Sequence, residues 1–511
     1  MHTRTGTLPE TYRAVTVGSG IRSSLARNPL KIALSCGERV LTYAALVDRI
    51  DRVSTLVRDA FKLAIGNRIA ICAQNCLEYI EIVTGASDAG LCVAQINPKL
   101  SAAEIGFILN DCGARAVFVT PQTEVLVRAA DCPALERIVV IGPEYDDLLA
   151  RVVRLAERLQ VDEWQAFSMP YTSGTTGNPR GVTLPHRSRT MTFFGMASEY
   201  GCYGPDDHYL ATAPLFHGAG YSFAHAAIFF GGSCEILTGF DPETVITKLH
   251  ETRASGTFMV PTHFHGIFGL EKKILEKNRG VHLKGLVSNA AALPQRTKEL
   301  IVNYFGDGIL HETYGSTEAA IVTNLRPVDQ LRKQQCVGQP FTMNDVKLLD
   351  EQGLPVKTGE IGELYSNSPY LFLGYWNKPE ATAAGFRDGW FTAGDLARMD
   401  DEGFIYLVDR KKDMFISGGV NVYPREIEEV LFTVPGIRDA AVVGMPDDYW
   451  GEVGHAFVVL QSGATMTAEN IAAACKDRLA GFKIPKRVSF IDVLPRNAAG
   501  KVLKTELRKP E

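Results

Sequence analysis

The sequence predicts an α/β protein with a large N-terminal domain of βα units around mostly parallel sheets, and a small α+β C-terminal domain. Three observations support this fold class. The chain of 511 residues is long enough for more than one hydrophobic core. Short β-like runs alternate with helical segments through most of its length. The character of the sequence changes near Arg410, where charged residues are followed by glycines.

Apolar and β-branched runs predict the strands of the large domain. Residues 68–72, 116–119 and 137–141 each form such a run. Residues 79–89 follow the first run and have helical periodicity. Glycine and proline between these segments indicate turns, with no long linker. This alternation is typical of strand–helix–strand units that build a parallel sheet.

A second pattern begins after the charged run at 409–413. Pro424 suits the first turn of a helix, where its missing N–H group costs nothing. Two further strand candidates follow at 440–443 and 456–460. A unit of roughly 100 residues is large enough to fold as a separate domain.

We therefore predict an N-terminal domain over residues 1–410 and a C-terminal domain over residues 411–511. The alternative is a surface loop at 409–413 inside a single domain.

Composition and charge argue against several classes of protein. Hydrophobic residues make up 46% and charged residues 22% of the chain, which is ordinary for a globular protein. The net charge of -5 gives no reason to expect a nucleic-acid partner. The longest apolar stretch, near 224–230, is too short to span a bilayer, so no transmembrane segment is expected.

The ten cysteines are scattered and form no paired CxxC set, so a zinc site is not expected. We read the N-terminus as lacking a secretory signal, and reduced thiols then favour a cytoplasmic location.

The segment YTSGTTGNPRGV at 171–182 has the composition of a phosphate-binding loop. Its glycines let the backbone approach an anion, while hydroxyls, backbone N–H groups and Arg180 can surround a phosphate. The spacing differs from the GxxxxGK[ST] loop. From this chemistry alone, a structural turn and a phosphate loop both remain open. The candidate loop residues are Thr172, Ser173, Gly174, Thr175, Thr176 and Gly177.

This loop resembles that of the adenylate-forming superfamily, which comprises acyl- and aryl-CoA synthetases, peptide-synthetase adenylation domains and luciferases. Arg180 stands where the family mostly has lysine. Five further motifs occur in the family's order and cover nearly the whole chain; they are APLFHG at 213–218, ETYGSTE at 312–318, GWFTAGD at 389–395, VDRKKD at 408–413 and LPRNAAGK at 494–501. In these motifs the chain is most similar to fatty- or aryl-acid CoA ligases.

The resemblance implies a nucleotide site. The loop residues and Arg180 would hold the β- and γ-phosphates of ATP, and Thr317 would contact the α-phosphate. Glu318 would ligate Mg²⁺, a hard cation that prefers oxygen, although a helix-start carboxylate is the alternative. Tyr314 would stack on adenine. The remaining residues of this site would be Ala291, Glu312 and Thr313 near the base, and Asp395 and Arg410 at the ribose.

The resemblance also implies roles for the C-terminal domain. Lys501 would reach the carboxylate and the α-phosphate, the alternative being a solvated surface lysine. The domain would then rotate about Lys412 to let coenzyme A reach the adenylate. Gly418 and Gly419 would line the pantetheine approach, or simply form a β-turn. Lys504 is expected to be a surface charge.

Histidines raise two questions about the substrate and metals. His217 matches the place where amino-acid-activating relatives carry aspartate, so we predict an acyl-pocket gate for a fatty or aryl acid; a structural histidine is the alternative. His263 and His265 alternate as on one strand face, but without a third ligand we favour pocket lining or structure over a metal pair. Residues 288–293 replace the family's Gly-Gly-Ala-Pro-Leu with a bulkier sequence.

The predicted function is an ATP-dependent acyl-CoA synthetase that uses Mg²⁺. It would activate a fatty or aromatic carboxylic acid as acyl-AMP, release pyrophosphate and transfer the acyl group to coenzyme A. One alternative is an acyl-AMP ligase that loads a separate carrier protein. Another, suggested by Arg180, is a catalytically weak nucleotide- or acyl-binding homologue.

Overall fold

A computed structural model describes residues 11–154, 157–172, 179–476, 478–496 and 502–508. Within these residues the chain forms two compact units. Unit 1 comprises the described parts of Met1–Gln334, Pro340–Asp345 and Asn367–Ala384. Unit 2 comprises those of Gln335–Gln339, Val346–Ser366 and Gly385–Glu511. Unit 2 thus includes segments that precede Arg410, while the mobile domain starting at residue 411 stays a prediction.

The strands, numbered in chain order, are β1 (Ile32–Cys36), β2 (Arg39–Thr42), β3 (Arg68–Cys72), β4 (Cys92–Ile96), β5 (Ala116–Val119), β6 (Arg137–Val140), β7 (Ala166–Thr172), β8 (Arg180–Pro185), β9 (His208–Ala211), β10 (Ser233–Ile236), β11 (Gly256–Met259), β12 (Gly285–Ser288), β13 (Leu310–Ser316), β14 (Ala320–Leu325), β15 (Gln339–Pro340), β16 (Asp345–Leu349), β17 (Gly362–Asn367), β18 (Gly374–Tyr375), β19 (Phe386–Arg387), β20 (Trp390–Phe391), β21 (Asp395–Met399), β22 (Ile405–Arg410), β23 (Phe415–Ser417), β24 (Val420–Val422), β25 (Ile437–Asp447), β26 (Gly451–Leu460) and β27 (Arg487–Phe490).

The α-helices are α1 (Val17–Arg27), α2 (Tyr43–Thr55), α3 (Leu77–Asp88), α4 (Ala102–Cys112), α5 (Pro121–Ala129), α6 (Pro143–Arg151), α7 (His186–Tyr200), α8 (Gly218–Phe229), α9 (Pro242–Glu251), α10 (Pro261–Phe268), α11 (Lys272–Lys277), α12 (Gln295–Phe305), α13 (Pro379–Ala384), α14 (Pro424–Phe432), α15 (Ala468–Lys476) and α16 (Lys504–Leu507). A π-helical turn at Leu56–Ala60 and 3₁₀ turns at Pro327–Asp329 and Gly481–Lys483 complete the helical segments that the structure describes.

The first sheet of unit 1 has the strand order β18-β8-β7-β4-β3-β5-β6. Strands β3, β4, β5, β6 and β7 pair in parallel, and α3 connects β3 to β4. All five residues of β4 are buried, as expected for a central strand covered on both faces. The predicted strands at 68–72 and 116–119 are confirmed, and the third ends at Val140, one residue early.

The second sheet of unit 1 runs from β14 in the order β14-β13-β12-β11-β9-β10-β1-β2. Strands β9 to β13 pair in parallel, whereas β14 turns back antiparallel to β13. One face packs on helices α9, α10 and α12 in a core that includes Leu210, Phe264, Leu286 and Ile301. The predicted α/β class with mostly parallel sheets is confirmed.

Unit 2 contains two smaller sheets of mainly antiparallel strands. One has the order β19-β20-β17-β21-β22 with β16 beside β17, and the other has β24-β23-β26-β25 with β27 beside β26. The predicted strands at 440–443 and 456–460 lie in β25 and β26, and α14 begins at Pro424 as predicted. Val442, Val458 and Ile427 are fully buried in the core between α14 and the second sheet.

Two details of side-chain placement differ from the sequence analysis. His263 and His265 lie on helix α10 and not on a strand, because Pro261 starts a helix there. The His263 ring stacks on Phe240 with centroids 3.8 Å apart, which supports the structural interpretation. Lys504 is not a solvated surface charge, since its Nζ lies 2.8 Å from Oε1 of Glu428 and its side chain is only 16% exposed.

Within the described part of the chain, no helix has both the length and the apolar character needed to cross a membrane.

Candidate active site

The candidate phosphate loop lies between two paired strands of unit 1. Thr172 ends β7 and Arg180 begins β8, and these residues are direct partners in the antiparallel pairing. The pairing therefore holds the two ends of the loop together. Ser173, Gly174, Thr175, Thr176 and Gly177 lie outside the described residues.

Tyr375 connects Arg180 with Glu318. The guanidinium carbon of Arg180 lies 5.5 Å from the centroid of the Tyr375 ring. The Tyr375 hydroxyl donates a hydrogen bond of 2.8 Å to Oε1 of Glu318. Burial, followed by the charge of Glu318, raises the pKa of Tyr375, so the hydroxyl keeps its proton. The structure thus brings Arg180 and Glu318 to one place.

Tyr375 was missed in the sequence analysis. It lies in β18, which pairs with β8 so that Tyr375 is opposite Val182. That pairing places it near Arg180, and its position in the aromatic run Tyr375-Trp376 was only a weak signal.

A tight turn between β13 and β14 presents Thr317 and Glu318. Ser316 and Ala320 are partners at the end of this hairpin, and the Ala319 N–H group donates 3.1 Å to Oγ of Ser316. A Cβ atom on Gly315 would lie 1.8 Å from the carbonyl oxygen of Ala320. The close crossing of the two strands therefore requires glycine at this position. The backbone carbonyl of Glu318 also accepts a 2.8 Å bond from Phe372.

Arg189 is a buried cation beside this turn, and the sequence analysis missed it. It is the fourth residue of α7 and is 3% exposed. Its Nη2 donates a hydrogen bond of 3.0 Å to the carbonyl oxygen of Thr317. Burial lowers the pKa of Arg189 to about 10, and the charge of Glu318 opposes this shift. A lone arginine in an otherwise uncharged stretch of helix, 188–198, was the available signal.

Glu312 and Thr313 hold segment 288–293 against β13. The carboxylate of Glu312 forms a buried ion pair with Lys298 and accepts a 3.1 Å hydrogen bond from the Leu293 N–H group. Oγ1 of Thr313 accepts a 2.8 Å bond from Nδ2 of Asn289. At the predicted adenine site, both side chains therefore stabilise the position of segment 288–293 relative to β13.

Segment 288–293 also carries a strained residue. Ala290 has a φ of 77°, in the left-handed region where the family's pattern has glycine. Ala291 next to it is exposed, and Tyr314 is half-buried. Their adenine-binding roles stay predictions.

His217 precedes helix α8 and carries no charge at neutral pH. Burial, assisted by the positive charge of Lys99, lowers its pKa to about 4. The ring contacts Phe216, with centroids 4.5 Å apart. The structure thus has an uncharged, half-buried imidazole at this position.

Asn75 fixes the loop that carries His217, which the sequence analysis did not foresee. Its Nδ2 donates to the carbonyl oxygens of Ala213 at 3.1 Å and Leu237 at 2.9 Å, and its Oδ1 accepts from the Leu215 N–H group at 2.8 Å.

In unit 2 the structure brings Asp395 and Arg410 together. They are partners in the β21–β22 pairing, and Nε of Arg410 lies 3.3 Å from Oδ1 of Asp395. Asp395 is 8% exposed. Burial lowers the pKa of Lys412, two residues further on.

Gly418 and Gly419 form the turn between β23 and β24. Both have positive φ angles, 58° and 79°, as a two-residue hairpin turn of this kind requires. A Cβ atom on Gly418 would lie 2.8 Å from the ring of Trp450. The β-turn interpretation is correct, and a contact with pantetheine stays a prediction. Lys501 lies outside the described residues.

The residues at the turn fit a magnesium–nucleotide complex. Mg²⁺ prefers hard oxygen ligands and usually keeps waters and substrate phosphates with one or two carboxylates. Glu318 supplies such a carboxylate, oriented by Tyr375. The hydroxyl of Thr317 and the cation of Arg180 are suitable partners for phosphate oxygens.

This fold and site define a nucleotide-dependent α/β enzyme. The family model "AMP-binding enzyme" matches residues 21–376, and the model "AMP-binding enzyme C-terminal domain" matches residues 426–501. The chain belongs to the AMP-binding enzyme family, as its six motifs predicted.

Similar proteins span almost the whole chain. A feruloyl-CoA synthase of Amycolatopsis sp is 35% identical over 94% of this chain and 96% of its own length. The medium/long-chain-fatty-acid–CoA ligase FadD8 of Mycobacterium tuberculosis is 35% identical over 95% of this chain and 88% of its own. The structure of ATP-bound MatB from Rhodopseudomonas palustris has a TM-score of 0.89 at 28% identity, over 97% of this chain and 98% of that chain.

Proposed function

We propose that this protein is an ATP-dependent, AMP-forming acyl-CoA synthetase for a fatty or aromatic carboxylic acid. The observation that carries the proposal is the link from Arg180, at one end of the Gly/Ser/Thr-rich loop, through Tyr375 to Glu318. A cation close to an oriented carboxylate is what a magnesium-bound triphosphate requires, and this supports the proposal.

The reaction joins two anions, so charge neutralisation is its main requirement. An oxygen of the acid's carboxylate attacks the α-phosphorus, and the bond to the leaving pyrophosphate breaks. Magnesium, when bound, neutralises phosphate charge. Arg180 adds a positive charge, and Glu318 would hold the metal. In the second step the thiol of coenzyme A loses its proton to solvent and its sulfur attacks the acyl carbonyl. The bond between the acyl carbon and the phosphate oxygen breaks, and AMP leaves.

The environment of His217 supports a fatty or aromatic acid as substrate. An imidazole with a pKa of about 4 offers no charge to pair with an α-ammonium group at neutral pH. The names of the relatives point to the same class, because they include ferulate and medium- to long-chain fatty acids as substrates. The roles proposed above for Asp395, Arg410, Lys412, Gly418, Gly419 and Lys501 follow from the family resemblance.

We further propose a cytoplasmic location. Nine cysteines of the described residues, among them Cys72, Cys92 and Cys234, are free thiols, which agrees with a reducing compartment.

Acid-dependent exchange of pyrophosphate into ATP tests the function. The panel includes ferulate, benzoate, octanoate and dodecanoate, and coenzyme A is added after the best acid is found. We expect exchange with at least one acid, loss of exchange in Glu318→Gln, and thioester formation with coenzyme A. Tight ATP binding without exchange for any acid would instead support the catalytically weak homologue.

A second comparison separates the acceptors. Coenzyme A and a phosphopantetheinylated carrier protein are offered to the enzyme at equal concentration. Faster transfer to the carrier protein would favour the acyl-AMP ligase.

A further inference from the structure

Arg189 is a cation in an unusual place. The side chain is 97% buried within unit 1, on a helix that follows directly from β8. Removing a guanidinium from water is unfavourable unless hydrogen bonds and an opposite charge compensate. An arginine kept at such a place therefore indicates an anion partner.

The described protein supplies little of that compensation. The guanidinium has five N–H donors. Among the described residues, its hydrogen bonding consists of the one bond to the carbonyl oxygen of Thr317, and no carboxylate lies within 4.0 Å. Glu318 acts on it electrostatically from further away, while one oxygen of that carboxylate accepts from Tyr375. Most of its donors thus remain available for a ligand.

Arg189 lies close to Gly218, the last residue of the acyl-pocket motif at 213–218. A carbon added to Gly218 would lie 3.8 Å from Nη2 of Arg189 and 4.0 Å from Cγ2 of Thr317. Gly218 is the first residue of α8, a helix of 12 residues whose start is capped by no side chain. A helix N-terminus attracts negative charge, so α8 and Arg189 favour an anion in the same place.

We propose that Arg189 binds the carboxylate of the acid substrate and holds it beside Thr317 for activation. This inference rests on the proposed function and adds to it a substrate-binding residue from α7. A planar guanidinium can hold both carboxylate oxygens. The α-phosphate of ATP is the other anion of the reaction, but the closeness of Arg189 to Gly218 of the acyl-pocket motif favours the acid.

Binding measurements without turnover test the proposal. Calorimetry compares the better substrate of ferulate and dodecanoate with its primary amide, which has the same shape and no charge, and with ATP alone. The variants are Arg189→Leu and Arg189→Lys. Arg187→Leu and Arg187→Lys are matched controls, because Arg187 lies two residues away on α7 and pairs with Glu163 at 2.9 Å.

We expect Arg189→Leu to weaken binding of the acid by about 10- to 100-fold, as for a lost charged hydrogen bond, and to leave binding of the amide nearly unchanged. The affinity of Arg189→Lys for the acid should lie between those of Arg189→Leu and the wild type. Lysine keeps the positive charge but lacks the planar guanidinium that can bind both carboxylate oxygens. If Arg189→Leu does not fold, the comparison of Arg189→Lys with the wild type tests the proposal. The Arg187 variants should keep the wild-type preference for acid over amide.

Equal weakening of acid and amide would overturn the proposal in favour of a structural role. Weaker binding of ATP with unchanged binding of the acid would overturn it in favour of the α-phosphate. Failure of the proposed function is a separate result, since it is a wild type without pyrophosphate exchange for any acid.

Discussion

The hydroxyl of Tyr375 donates a 2.8 Å hydrogen bond to the carboxylate of Glu318, which lies 57 residues earlier in the chain. The same tyrosine ring lies under the guanidinium of Arg180. One side chain therefore orients the proposed metal ligand and contacts the cation at the end of the phosphate loop.

Tyr375→Phe should impair the use of magnesium. Without the hydrogen bond, Glu318 samples more orientations, and the magnesium concentration for half-maximal pyrophosphate exchange should rise about 3- to 10-fold. Titrating exchange with magnesium at saturating ATP measures this effect. The matched control is Tyr304→Phe, which removes a 2.8 Å bond to the Leu275 carbonyl away from the site. An unchanged magnesium dependence in Tyr375→Phe would show that Glu318 needs no such support.

Lys501→Ala should nearly abolish adenylate formation and spare thioester formation from preformed acyl-AMP. The reason is that the proposed role of the ammonium group is to neutralise the carboxylate and α-phosphate in the first step only. Single-turnover assays of each half-reaction make the measurement. Lys486→Ala, at an exposed position, is the control. Equal loss in both steps would contradict the proposed rotation of the C-terminal domain between the two half-reactions.

Gly315→Ala should destabilise unit 1 and reduce activity together. The added Cβ atom would lie 1.8 Å from the Ala320 carbonyl, so the β13–β14 turn must open. Overpacking of this kind costs about 1–3 kcal/mol in the free energy of unfolding, measured by urea denaturation. Gly239→Ala is the matched control, because nothing lies within 4 Å of its added Cβ. A Gly315→Ala protein as stable and active as the control would show that the turn adapts freely.

Five histidines, four of them buried and one half-buried, should make the protein less stable in mild acid. Burial lowers their pKa from 6.5 to about 3 for His186 and to about 4 for His217, His225, His263 and His311. Below pH 6.5 the unfolded chain therefore binds more protons than the folded protein. Stability is fully present above pH 6.5 and falls toward pH 4, by up to about 1.4 kcal/mol per pH unit for each group.

His263→Phe should reduce this pH dependence. The variant removes one titrating group and keeps an aromatic ring against Phe240. Urea denaturation measures the free energy of unfolding at pH 7.0 and at pH 5.0, values chosen above and within the roughly 4–6.5 window. The difference between these two free energies should be smaller in the variant than in the wild type. His265→Gln, at an exposed position of the same helix, should behave like the wild type. If both variants lose as much stability between pH 7.0 and pH 5.0 as the wild type does, burial of His263 does not contribute to the acid sensitivity.

Much of the fold could be predicted because strands and helices follow local patterns. The apolar run of β3 and the proline at the start of α14 were sufficient to predict this strand and the start of this helix. The pairing of Thr172 with Arg180 agrees with a loop between two strands, since such a loop begins and ends at neighbouring positions. His263 and His265 were misplaced because a short apolar run does not distinguish strand from helix, and the helix-starting role of Pro261 was overlooked.

By itself the sequence determined the α/β class, the order of the motifs and the chemistry they carry, because periodicity, turn residues and local spacing are properties of neighbouring residues. Only the tertiary structure decided that Tyr375 reaches Glu318, that Arg189 lies beside Thr317, and that Lys504 pairs with Glu428. Each of these contacts joins segments far apart in the chain. Strand order, register and burial bring them together, and no local pattern encodes that arrangement.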